Sequence, residues 1–134
     1  MLQNIKKVRA TYKYYNSNPL GRSTGDCVIR AITKATNMSW NSVYRILLSL
    51  AYKEKDMPSA NYVWGKLLKL FGYKKYIIPD SCPDCYTVRD FCYDHPFGKY
   101  ILATGSHVVT VIDGNYYDSW DSGNEVPIYY WKEI

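Results

Sequence analysis

The chain has 134 residues, 47% of them apolar and 22% charged, which describes one domain with material for a core and excludes a disordered chain. No apolar run approaches the roughly 18 residues of a membrane span, and the opening MLQNIKKVRATYKYYN lacks the apolar stretch of a secretory leader, so a cytoplasmic protein with reduced thiols and no membrane partner is expected. Net charge is +5, yet residues 1–75 hold 14 Lys/Arg against 3 Asp/Glu while residues 76–134 hold 3 against 9, an asymmetry that suits docking of a basic part on an acidic part more simply than binding of an acidic ligand.

The first helix is expected at Gly25-Asp26-Cys27, with Val28, Ala31, Ile32 and Ala35 at helical spacing. Ser39 is a natural N-cap for a second, whose stripe is Trp40, Val43, Tyr44, Leu47, Leu48 and Ala51. A third follows Pro58-Ser59 with Val63, Trp64, Leu67, Leu68 and Phe71 on one face, and Gly72 supplies its stop. A short fourth starts at Thr87, with Asp90 completing a capping pattern. Strands are expected over 100–103, 106–112, 115–120 and 126–131, the middle two joined by an Asp113-Gly114 turn of type I′. The expectation is an α+β fold in one domain, 1–134. Its helical part covers about 19–75, and an antiparallel sheet covers about 76–134.

Only two histidines are available for acid–base chemistry, His95 and His107. His95 precedes Pro96 in a polar stretch, whereas His107 opens the strand that runs into the tight turn. If Asp113 and Gly114 are the central turn residues, Ile112 faces Asn115, Val109 faces Asp118 and His107 faces Trp120. Asp118 is then the diagonal neighbour of His107, close enough to accept its N–H and fix its tautomer. Trp120 beside them keeps water off that bond. A surface His beside a surface Asp is the alternative, and a nucleophile elsewhere decides between the two.

Cys27 is the candidate: taken alone it reads more readily as a small buried helix cysteine, and together with His107 and Asp118 as a nucleophile. A thiol at the head of a helix meets the positive end of the dipole and several unpaired N–H groups, both of which favour thiolate. Its own N–H can donate to an oxyanion, and Gly25 lets the backbone approach a substrate carbonyl.

Cys27 at a helix head, His107 on a strand and Asp118-Ser119-Trp120 on the next strand resemble a papain-like cysteine peptidase, in the compact form found in bacteria and their phages. That family has its nucleophilic Cys near the N-terminus, then His, then an Asn-Ser-Trp sequence whose first residue orients the His and whose Trp shields it. The resemblance implies a papain-like fold and a Cys27–His107–Asp118 triad acting through a thioester acyl-enzyme. It further implies Trp120 as the shield, a protein or peptide substrate and no cofactor. The leaving amine can be a peptide, an isopeptide lysine or ammonia. The family's oxyanion Gln, six residues before the Cys, is Gly21 here, and Val28 replaces the usual Trp after the Cys. Asn18 is the nearest upstream amide and is taken as the oxyanion donor, with Asn16 and Ser23 as weaker substitutes.

Cys82, Cys85, Cys92 and His95 form C-x2-C-x6-C-x2-H, which has the residue types of a structural zinc site. The gap of six is short, and Cys92 falls in a helical apolar pattern, so no metal is expected; a disulfide is reserved for an exported chain. The alternative to an enzyme is an inactive papain-like fold that binds protein or nucleic acid. Lys6, Lys7, Arg9 and Lys13 lie among Tyr12, Tyr14 and Tyr15, and Lys66, Lys69, Lys74 and Lys75 make a second basic group. Charged helix faces are usually only solvated, and no nucleic-acid motif is present.

Overall fold

Three helices fall where the apolar spacing places them. A computed structural model describes residues 11–134. Helix α1 (Cys27–Thr36) ends on Asn37 in the left-handed conformation, and α2 (Trp40–Glu54) starts under Ser39, whose hydroxyl accepts from the Ser42 amide. Helix α3 (Asn61–Leu70) is stopped by Gly72 at φ +88°, a conformation that costs glycine nothing. Helix α4 (Val88–Asp94) carries the reciprocal capping box of Thr87 and Asp90. Among the described residues, no helix is long and apolar enough to cross a membrane.

The six strands are β1 (Thr11–Tyr14), β2 (Tyr73–Ile77), β3 (Lys99–Ala103), β4 (Val108–Ile112), β5 (Asn115–Asp118) and β6 (Tyr129–Glu133). They form one sheet in the order β1-β5-β4-β3-β6-β2. Asp113 and Gly114 both take positive φ, +50° and +79°, as a type I′ turn requires. The register follows, with Ile112 opposite Asn115 and Thr110 opposite Tyr117.

Three expectations are corrected. The sheet is mixed rather than antiparallel, because β1 runs parallel to β5 with Tyr14 opposite Asp118. Parallel neighbours need a long crossover, and the helices α1 to α3 supply it. The division at residue 76 is not a structural boundary either. Strand β1 lies ahead of the helices and β2 begins at Tyr73, so the sheet draws on both parts of the chain. Finally, β6 starts at Tyr129, three residues later than expected; Ile128 ahead of it donates its amide to Ala103 and accepts from Ile78.

Both faces of the sheet are covered. Ile101, Ala103, Val108, Tyr129 and Trp131 pack with α1 to α3, around fully buried Ile32, Val43, Leu47, Val63, Trp64 and Leu68. Tyr100, Leu102, Val109, Val111 and Tyr116 pack on the other side with Val88, Phe91 and Cys92. Burial of roughly 1.5–3 kcal/mol per large side chain makes this the main source of stability. The basic and acidic parts are therefore joined by apolar packing. Among the described residues one ion pair crosses between them, Arg30–Asp118, and it is buried.

Candidate active site

The site sits where α1 meets the ends of β4 and β5. Cys27 is the first residue of α1, and its N-cap Asp26 makes no capping hydrogen bond with its side chain. The Asp26 carboxylate turns away instead, accepting from Arg30 Nη1 at 2.8 Å and from Trp40 Nε1 at 2.9 Å. The first-turn amides of α1 are thus left without a side-chain acceptor, and they point toward any negative charge that forms beside Cys27.

His107 lies just ahead of β4, in the short connection from β3. Its carbonyl accepts from the Thr104 amide at 2.8 Å, and the Ser106 amide donates to the Thr104 hydroxyl, which fixes the connection. His107 Nε2 is 2.6 Å from Asp118 Oδ2. The Cys27 thiol is a second polar neighbour of the ring, and the two groups favour each other's charged forms. The Trp120 ring lies against His107, centroids 4.7 Å apart, and keeps 45% of its surface in solvent. Cys27, His107, Asp118 and Trp120, predicted from sequence, are thus brought together.

Asp118 has no solvent exposure and is saturated with donors. Its Oδ1 accepts from Arg30 Nε at 3.1 Å and the Ser119 amide at 2.8 Å; Oδ2 accepts from the Ser122 hydroxyl at 2.6 Å besides His107. The Asp118 carbonyl receives the Tyr12 hydroxyl and the Tyr15 amide, which anchors the end of β5 to β1. Strict alternation from Tyr116 would put Asp118 on the α4 side of the sheet. Being the last residue of β5, it meets Arg30 on α1 instead.

Sequence reasoning missed Arg30 and Ser122. Arg30 is 4% exposed and bridges two carboxylates, Asp26 one turn behind it and Asp118. The Asp26–Arg30 spacing of four was a legible hint of a helical pair; nothing local marks Ser122.

These neighbours set the proton balance. Burial pushes the Cys27 thiol up, but the neighbouring His107 ring, the Val108 amide and the Arg30 charge outweigh it, and the thiol ends below its ordinary value. Burial disfavours the charged form of His107, yet Asp118 and Cys27 hold it protonated, pushed up to about 9. Burial likewise works against the Asp118 carboxylate, but His107, Ser122 and Arg30 keep it below the usual range. All three directions favour the charged forms of Cys27, His107 and Asp118.

Asn18 is held by its own loop. Its Oδ1 accepts from the Leu20 and Arg22 amides at 2.9 and 3.3 Å. That leaves the side-chain amide N–H groups for a ligand, and Asn18 shares a cleft wall with Gly25 and Asp26. A Cβ on Gly25 would meet open space, so the approach to the helix head is unobstructed.

The other sequence candidates lie apart. Cys82 and Cys85 form a disulfide, so these two thiols are not reduced as expected for the chain. Cys92 is buried beside Phe91, and burial pushes its thiol up to about 12. His95 stacks on Phe91 with its Nδ1 2.8 Å from the Phe91 carbonyl. Among the described residues no group of three or more His, Cys, Asp or Glu is placed to hold a metal. Lys6, Lys7 and Arg9 fall outside the described residues. Tyr12 packs on Tyr116 rather than facing a ligand, while Lys66 and Lys69 lie on α3 and Lys74 and Lys75 on edge strand β2, where lysines commonly block edge pairing. Comparison of the chain with protein-family models, curated proteins and solved structures returns no match.

Proposed function

We propose that the chain is a cysteine-dependent amide hydrolase of papain-like type, with Cys27 as nucleophile, His107 as acid and base, and Asp118 as the residue that orients His107. The observation that carries this reading is the alignment of a half-buried thiol with His107, which is itself hydrogen-bonded to a buried, fully bonded carboxylate. A structural cysteine in a core has no use for an imidazolium partner.

The Cys27 thiolate attacks the amide carbon, forming a C–S bond while the carbonyl electrons move to oxygen. The Cys27 N–H and the Asn18 side-chain amide stabilise that oxyanion. His107 gives its proton to the nitrogen, the C–N bond breaks, and the amine leaves a thioester behind. Neutral His107 then takes a proton from water as the oxygen attacks the thioester carbon. Breaking of the C–S bond releases the acid and restores thiolate and imidazolium. Asp118 stays ionised throughout and holds the ring.

The pH dependence follows from the two shifts. The active form needs Cys27 ionised and His107 protonated. Activity therefore rises as pH climbs through the thiol value, which lies below the ordinary one, and falls as His107 loses its proton near 9. A kcat/KM profile that climbs through pH 8 to 9, as a free thiol would give, contradicts the ion pair.

The reading is tested by incubating the protein with a library of fluorogenic peptide amides. Cleavage lost in both Cys27→Ala and His107→Ala is expected. Cleavage that persists in either variant overturns the assignment.

A further inference from the structure

Along the first turn of α1 lies a cleft of about 650 Å³ that the triad does not line. It is lined by residues on both sides of Cys27 in the chain, Gly25 and Asp26 before it and Val28 and Ile29 after it. Cys27, His107 and Asp118 are not among its lining residues, so it borders the stretch of chain that carries the thiol rather than the thiol itself. Its volume falls within the range of small-molecule and side-chain sites.

The chemistry of the walls is uneven. Trp40 and Tyr44 from α2 stand together, ring centroids 4.9 Å apart, and face an apolar rim that includes Leu20. Leu20 is 80% exposed and Tyr44 38% exposed, so the aromatic wall and its rim present apolar surface that this chain leaves uncovered. Two charged side chains border the cleft. Asp26 is neutralised by Arg30 and further bonded by Trp40. Among the described residues the Arg22 guanidinium has neither ion-pair nor hydrogen-bond partner; only its backbone is engaged. The unpaired charge that borders the cleft is thus positive.

The cleft is also built in advance. Asn16 donates to the Arg22 carbonyl at 3.2 Å, Asn18 accepts from the Leu20 and Arg22 amides, and Gly21 at φ +67° completes the turn. Little ordering is left for a ligand to bring about.

We propose that this cleft is the substrate subsite, and that it takes an amide substrate bearing a bulky apolar side chain with a carboxylate beside it, the side chain against Trp40 and Tyr44 and the carboxylate on Arg22. The inference rests on Cys27 being the nucleophile for its meaning as a substrate site, but not for its binding chemistry. Arg22 is a specificity residue: a guanidinium pairs with a carboxylate in a fork that a lysine or glutamine does not reproduce.

Two blocked peptides probe it, acetyl-phenylalanyl-glutamyl-glycinamide and acetyl-glutamyl-phenylalanyl-glycinamide, titrated into the Cys27→Ala protein and followed by amide chemical shifts. One or both are expected to saturate, with the largest shifts at residues 18–26 and 40–44. Replacing glutamate by glutamine in the peptide, or Arg22→Gln in the protein, weakens binding by about tenfold, the scale of one charge-assisted pair. Replacing phenylalanine by alanine, or Tyr44→Ala, does the same by removing apolar contact. The peptide-side changes leave the protein intact, so they hold even if a variant fails to fold. No saturation by either peptide, shifts elsewhere, or indifference to the glutamate-to-glutamine change overturns the proposal. Alkylation of Cys27 in the wild-type protein separates the two claims. An activated thiol with no cleft binding sinks the subsite alone, and cleft binding with an ordinary thiol sinks the hydrolase and leaves a peptide-binding site.

Discussion

Cys27→Ala and His107→Ala each lower kcat/KM for amide hydrolysis by about a thousandfold or more, and the double variant is scarcely worse than either single one. The non-additivity follows from the geometry. In the proposed reaction Cys27 owes its nucleophilicity to the charge carried by His107, so loss of either partner removes the same ion pair. Both variants remain folded, because Cys27 is only half-buried and Asp118 keeps Arg30, Ser119 and Ser122 as partners without His107. Asp118→Asn costs less activity, since an amide oxygen still accepts the imidazole N–H. Steady-state kinetics on any amide that the wild-type protein cleaves checks the series. Equal activity in Cys27→Ala and the wild type excludes a thioester path.

Arg30→Met destabilises the fold by about 3–5 kcal/mol, the usual cost of removing one member of a buried ion pair. Asp26 and Asp118 would then be buried without their shared cation, with Asp118 having no solvent exposure at all. The sign of the pH effect is fixed by the same geometry. Without Arg30 the folded-state pKa of Asp118 rises, so protonation relieves part of the penalty. The gap between wild type and variant is therefore widest at pH 7 and narrows toward pH 4.5. Urea unfolding at both values reads it. Arg30→Lys recovers only part of the loss, because one ammonium does not span two carboxylates as the guanidinium does. A gap that is small and independent of pH contradicts the bridging role.

The helices and the central hairpin were legible because their signals are local. Apolar spacing marks α1 to α3, Thr87 with Asp90 marks α4, and Asp113-Gly114 sets the register that brings His107 and Asp118 together. Strands β1 and β2 were not. In each, all residues but one keep their side chains in water. Edge strands bury little and carry lysines, so alternation is faint. Strand β1, in addition, pairs with β5 across the whole helical crossover, and no local pattern encodes that partner. The basic, tyrosine-rich TYKY segment therefore looked like a ligand surface when part of it is a sheet edge. Arg30 was hidden for the same reason. It interrupts an apolar helical stripe, and its partner Asp118 is 88 residues away. The Cys82–Cys85 pair shows the converse case. Its spacing is legible, but spacing alone does not separate a metal pair from a disulfide.

The central claim is that Cys27 is a thiolate held by His107. Brief iodoacetamide labelling of the native protein at pH 6, with the labelled cysteine located by peptide mass spectrometry, tests it most directly. An ordinary thiol of pKa near 8.5 is then less than about 1% ionised. Cys92 is buried, and Cys82 and Cys85 are tied to each other. Cys27 is predicted to label rapidly and alone, and to slow by at least about tenfold in His107→Ala. Slow labelling at Cys27, or a rate unchanged by removal of His107, contradicts the account.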